Sequence, residues 1–337
     1  LDDWLIKLND SQITESQKKG TKVFYKLPRW LSVSVKLLSI ISTKLTTKLL
    51  WNIFTKPLEY RISDAEKSFY KYHGSLDFFS KTSDKTVKIY NVRGKGPKIL
   101  FVHGWSSRAS KFHKIINEFK SKNFDITAVD MPAHGQSLSK RSHLPEFCDV
   151  VYDLSKNNGP YDTIIGHSIG AVAALNAIKM GQNFRNIVLI SPGAYKIEPI
   201  FRNYVSLFGL SEDFYVKSMF NSFEAKGGRK PTSYGPDKFA SDIESRCLII
   251  HSEDDAQVNP KVAEKIHEDI KNSKLIITTD LGHMRTLTDD KVIETIGEFI
   301  SKWDQHYTNS PKDRGQDAWR ALESVDYEID SNICSSN

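Results

Sequence analysis

The sequence predicts an α/β fold: a mostly parallel, doubly wound sheet with a small helical insertion and an extra amphipathic helix at its N-terminal end. Three observations predict it. From Ser75 onward, short β-branched or aromatic runs alternate with helical stretches, the rhythm of βαβ units. Several of these runs (ILFV, TII, IVLI, LII, LIIT) are nearly continuous and apolar, as strands buried on both faces must be. The loops that follow them hold Gly, His, Ser and Asp rather than neutral filler. In an open α/β sheet, reactive groups sit just beyond the carboxyl ends of the strands.

The first element is a basic, helical extension over residues 1–70. From Ser16 to Leu58 there is no Asp or Glu, and nine Lys or Arg residues fall in that stretch. The chain's net charge is +6, so the rest of it is slightly acidic. Within residues 30–54 (WLSVSVKLLSIISTKLTTKLLWNIF), apolar side chains recur at 30, 37, 38, 41, 45, 49, 50 and 53, with Ser34 the one gap. That is helical spacing, with Lys36, Lys44 and Lys48 on an adjoining stripe. Three lysines inside the run argue against a bilayer span. Two readings remain, a helix packed on the main domain or a basic amphipathic helix on an anionic membrane surface. No aromatic-plus-basic module for nucleic acid accompanies it.

The main domain is predicted over 71–305. Candidate strands are 76–80, 87–92, 98–102, 125–129, 163–165, 186–190, 247–251 and 275–279. The first two alternate more and suit an antiparallel edge. Over 194–244 the alternation stops, and ten aromatics occur between Tyr195 and Phe239. An aromatic insertion between two strands reads as a cap, its rings mostly forming a small core and a minority facing a pocket. Residues 306–337 are a polar tail, expected to be loosely ordered. Cys148, Cys247 and Cys334 form neither a disulfide framework nor a zinc site, and this composition favours a cytoplasmic setting. No H-x-x-x-H or H-x-H cluster occurs, so neither a catalytic metal nor a cofactor is expected.

The chemistry-bearing loops are, in chain order, HGWS at 103–106, DMPAHGQS at 130–137, GHSIG at 166–170, HSEDDAQV at 251–258 and DLGH at 280–283. Each follows a predicted strand, and GHSIG runs directly into a predicted helix. Any one of them is a weak signal. His103 and His134 beside their glycines read as architectural, His167 as packing near the turn, and His113, His143 and His251 as having no ligand partner. Glu253, Asp254 and Asp255 all compete as a carboxylate partner for a histidine.

This order of motifs resembles the α/β-hydrolase superfamily over roughly residues 76–303. The resemblance implies a nucleophile, acid, histidine order met by Ser168, Asp255 and His283. It favours Asp255 over Asp254, because D-A-Q-V-N-P places valine and proline where the family has them. It also implies an oxyanion hole from the backbone N–H of Ile169 and of Trp105. The implied activity is hydrolysis of carboxylic esters with apolar, short-to-medium acyl groups, through an acyl-enzyme. A serine at the elbow argues against the dehalogenase and epoxide hydrolase branches, which use a carboxylate. Thioesterase, lactonase and aminopeptidase chemistries share the triad. Alternatives are a lipid esterase or thioesterase recruited to membranes by the basic helix, and a non-catalytic ligand-binding relative. The partner implied is a small-molecule ester.

Overall fold

The computed structural model of the chain describes residues 28–301. The predicted polar tail lies outside the described residues, as does most of the basic run before Arg29. The compact unit that holds the sheet ends at Gly297; of a second, Glu298–Asn337, only the end of one helix is described.

The helical N-terminal run forms two helices rather than one, α1 (Arg29–Ile41) and α2 (Thr43–Phe54). The break is at Ser42, whose backbone is extended, and its Oγ accepts the N–H of Leu45 at 3.3 Å. A serine followed by threonines offers its own hydroxyl to the backbone, which favours a new N-cap over continuation. Next comes α3 (Asp64–Tyr72), fixed at its start by a capping box. Ser63 Oγ accepts the N–H of Glu66, while Glu66 Oε2 accepts the N–H of Ser63.

The sheet has eight strands: β1 (Ser75–Ser80), β2 (Lys85–Val92), β3 (Lys98–Val102), β4 (Asp125–Asp130), β5 (Thr163–His167), β6 (Asn186–Ile190), β7 (Arg246–Ser252) and β8 (Ser273–Thr278). Their spatial order is β1-β2-β4-β3-β5-β6-β7-β8. As expected, β1 and β2 form the antiparallel edge, and from β4 to β8 all pairs are parallel. Helices α4 (His113–Ser121), α5 (Leu144–Asn158), α6 (Ile169–Lys179), α9 (Lys261–Asp269), the short α10 (Gly282–Arg285) and α11 (Asp290–Ser301) complete the layers. Successive strand side chains take opposite faces. Leu100 and Val102 join one core with α5 and α6, while Phe101 packs on Phe112 at 5.1 Å and Phe119 at 6.4 Å.

Between β6 and β7 the chain leaves the sheet for α7 (Glu198–Ser206), α8 (Glu212–Gly227) and three short 3-10 turns. Most of its aromatics form a core, as the composition suggests, but α2 completes that core. Phe54 lies 4.9 Å from both Phe201 and Tyr204, and Trp51 meets Phe223 edge-on at 6.3 Å. The Tyr204 hydroxyl donates to the Leu50 carbonyl at 2.9 Å.

The register decides where the loops meet. Val102 pairs with Gly166, His167 with Ile190, Ile190 with Ile250, and Ser252 with Thr278. The carboxyl ends of β3, β5, β6, β7 and β8 are therefore level, and their loops open on one edge.

Candidate active site

Ser168 occupies the turn from β5 into α6 with φ 53° and ψ −121°. A non-glycine residue in this left-handed region costs about 1–3 kcal/mol, and such strain clusters at functional sites. Its neighbours allow the turn by having no side chain. A Cβ on Gly166 would lie 2.6 Å from the Cα of Ala171 in the helix, and one on Gly170 would lie 2.3 Å from the Val102 carbonyl oxygen. Ser106, Ala133, Ser191 and Asp280 also have positive φ, and each lies in a loop beyond a strand's carboxyl end. With Ser168, five of the eight non-glycine residues of positive φ among the described residues thus lie along one edge of the sheet.

His283 is buried, and its Nδ1–H donates to Asp255 Oδ2 at 2.7 Å. That bond fixes the tautomer, leaving Nε2 as the acceptor. Asp255 Oδ1 accepts two backbone N–H groups, from Gln257 at 2.8 Å and Val258 at 2.9 Å. Oδ2 has a second partner, His251 Nε2 at 3.1 Å, a proton shared with the Val258 carbonyl at 3.0 Å. Burial alone would raise the Asp255 pKa, but these histidine hydrogen bonds hold it well below the usual carboxylate range. By sequence, His251 reads only as a histidine with no partner at metal-ligand spacing. The only hint in sequence is its place at the end of β7, four residues before Asp255.

Asp254 does not contact His283's ring. It accepts the N–H of Gly282 at 3.0 Å and the Ser252 hydroxyl, so it shapes the turn that presents His283. Glu253 is exposed.

The HGW loop lies directly against the elbow: a Cβ on Gly104 would come 2.9 Å from Ser168 Cβ. The N–H of Trp105 meets no acceptor among the described residues. Ile169 opens α6, where helix N–H groups have no acceptor within the helix. Two buried histidines brace these loops. His103 Nδ1–H donates to the Gly104 carbonyl at 2.7 Å, while its Nε2 accepts the Met131 N–H at 2.9 Å. His134 Nδ1–H donates to the Pro132 carbonyl at 2.8 Å, while its Nε2 accepts the Ser106 N–H at 3.0 Å. Burial holds His134 down at about 4, so it is a neutral strut.

His167 joins the elbow to the histidine loop. Its Nε2–H donates to the His283 carbonyl at 3.0 Å, and the two rings lie 4.8 Å apart. Burial, then the nearby His283, lowers its pKa to about 3. No hydrogen bond joins Ser168 Oγ to His283 in this structure. Such bonds often close only with substrate in place.

Comparisons with known proteins bear on the fold. The family described as serine aminopeptidase, S33 matches residues 95–231. An esterase from Pyrococcus furiosus superposes with TM-score 0.54 and 20% identity over 74% of this chain and 98% of that one. The chain has the α/β-hydrolase fold. Carboxylesterase CesB from Bacillus subtilis shares the fold, with TM-score 0.51 and 17% identity over 71% of this chain and 96% of that one. Among curated relatives, the uncharacterized hydrolase YugF of Bacillus subtilis is 24% identical over 260 residues, 64% of this chain and 94% of that protein.

One further residue enters the sequence reading only as the start of DMPAHGQS, with no role given to it. Asp130, buried at the end of β4, accepts the N–H groups of Ala109 and Gln136 at 2.7 and 2.8 Å and the Tyr90 hydroxyl at 2.8 Å. It ties the segment after the HGW loop to the DMPAHGQS turn. Gln136 is six residues on, but Ala109 and Tyr90 are 21 and 40 residues away, so the motif shows the residue and not what it ties together.

Proposed function

We propose that this α/β-hydrolase cleaves carboxylic esters through an acyl-enzyme, with Ser168, His283 and Asp255 as its triad. The observation that carries the proposal is the 2.7 Å bond from His283 to Asp255 beside a serine held in a strained turn. Ser168 Oγ attacks the ester carbonyl as its proton passes to His283 Nε2. The resulting oxyanion is held by the N–H groups of Trp105 and Ile169. His283 then protonates the departing alcohol, and the C–O bond breaks. Water, giving its proton to His283, attacks the acyl-enzyme; the acid leaves and Ser168 regains its proton. Asp255 stays ionised throughout and stabilises the imidazolium. One oxyanion donor is typically worth ~3 kcal/mol in the transition state. The aromatic insertion supports an apolar, short-to-medium acyl group. The similar esterase structures support ester chemistry over the other reactions that use this triad.

A fluorophosphonate probe should label the full chain, and Ser168→Ala should abolish the labelling. Aryl esters from acetyl to palmitoyl, run beside a thioester, a lactone and an aminoacyl anilide, then assign the class. Absence of labelling on folded protein would remove the hydrolase reading. Preferred turnover of the anilide would replace the esterase reading with a peptidase one.

A further inference from the structure

Helix α1 has two apolar faces. One is used by the fold: Val35 is fully buried and Leu31 packs against the core. The other is not. Trp30, Val33, Leu37, Ile40 and Ile41 are all exposed, Ile40 by 83% and Ile41 by 79%. At 100° per residue these five fall within an arc of about 100°. Leu45, in the first turn of α2, is exposed as well. A surface helix normally turns polar side chains outward, and a contiguous row of large apolar ones marks a contact.

The charges that α1 and α2 carry have one sign. Arg29 and Lys36 lie along one flank of the arc, and Lys44, Lys48 and Lys56 follow; all five are exposed. None makes an ion pair among the described residues. The nearest acidic residue toward the C-terminus is Glu59. An apolar row with an unneutralised cationic rim is complementary to lipid headgroups of negative charge above acyl chains. It fits a protein partner less well, since the two helices offer no acidic side chain to pair with a partner's cations.

We propose that the outward face of α1 docks on an anionic bilayer surface. Its apolar row enters the headgroup boundary, and the lysines remain at the level of the phosphates. No helix among the described residues is long and apolar enough to cross a membrane, so contact is from one side. The helix is fixed to the aromatic insertion. Lys36 lies over the turn at Gly209 after α7, and α2 packs on α7 and α8. Docking therefore carries the insertion to the lipid surface. The consequence for substrate, which rests on the ester-hydrolase reading, is an acyl-bearing lipid drawn from the leaflet.

The test is sedimentation of the full chain with vesicles of phosphatidylcholine alone and of phosphatidylcholine with phosphatidylserine. The chain should sediment with the anionic vesicles at low salt and be released as salt rises. I40E/I41E should weaken this at least ~10-fold, and K44E/K48E by about tenfold. Both variants should keep wild-type fluorophosphonate labelling, because these residues are exposed and far from the triad in sequence. No sedimentation of wild type at low salt, or unchanged sedimentation of I40E/I41E, overturns the proposal. So does a wild-type dimer that I40E/I41E dissociates without any vesicle binding, since a second copy then covers the face. Sedimentation needs no catalysis, so its failure and a failure of labelling are separate results.

Discussion

Asp255 shows how a single carboxylate can be fully used. Its two oxygens accept four N–H groups, from His283, His251, Gln257 and Val258. A carboxylate offers about four acceptor sites, so none is left unsatisfied in the buried site. His251 is a positioning residue, acting through Asp255 rather than on substrate. A hydrogen bond to a charged group is worth about 1.5–3 kcal/mol, so His251→Phe should lower kcat/KM by ~10- to 100-fold. His251→Gln, whose amide can still donate to Asp255, should recover part of that loss, and equal losses in the two variants would make His251 a packing residue only.

At the scale of elements, the N-terminal helices are part of the fold's core. Leu50 and Trp51 of α2 are buried, and the Thr55 carbonyl accepts the N–H of Ser142 at 2.9 Å. The next segment holds the HGW loop from behind: Leu58 N–H donates to Ser106 Oγ at 2.9 Å, and Arg108 pairs with buried Glu66 at 2.7 Å. Burial opposes ionisation of Glu66, but hydrogen bonds from Ser63, Arg108 and Lys111 outweigh it and lower its pKa to about 2. Trp51→Ala should cost about 3–5 kcal/mol, the usual range for deleting a buried tryptophan. Urea denaturation followed by circular dichroism measures it. An unchanged midpoint would mean that α2 is not part of the cooperative unit.

For the whole molecule, burial of histidines sets the response to acid. Burial holds His134 and His143 down at about 4 and His167 at about 3, so all three are neutral in the folded chain at pH 5. In the unfolded chain they titrate near ~6.5. Between those limits the unfolded state binds more protons, so stability falls as pH falls. The loss by pH 5 is on the order of 2 kcal/mol per histidine. Asp149, raised to about 6 by burial, acts in the opposite sense: it takes its proton first when folded and returns about 1 kcal/mol on acidification. Three histidines outweigh it. Unfolding free energy from urea titrations should therefore be lower at pH 5 than at pH 7, and equal or higher stability at pH 5 would show that these histidines are not held neutral.

The sequence alone determined the eight strands, their parallel and antiparallel parts, and the loops that hold the candidate chemistry. These features are local: apolar periodicity follows burial of each strand, and a glycine-flanked serine reports the backbone turn it must make. Ser168, Asp255 and His283 stand out because each follows a strand and their order resembles the α/β-hydrolase pattern; strand position alone does not separate Asp255 from Asp254. The break at Ser42 lay in the sequence too, but apolar spacing continued across it and hid the serine's capping role. What only the tertiary structure decided are contacts between distant segments. His251 at the end of β7 and His283 in α10 converge on Asp255, Asp130 gathers two loops, and α2 completes the core of an insertion about 150 residues downstream. The outward row on α1 belongs with these. Periodicity says that a helix has an apolar face, but only packing shows which apolar side chains the fold covers and which it leaves in water.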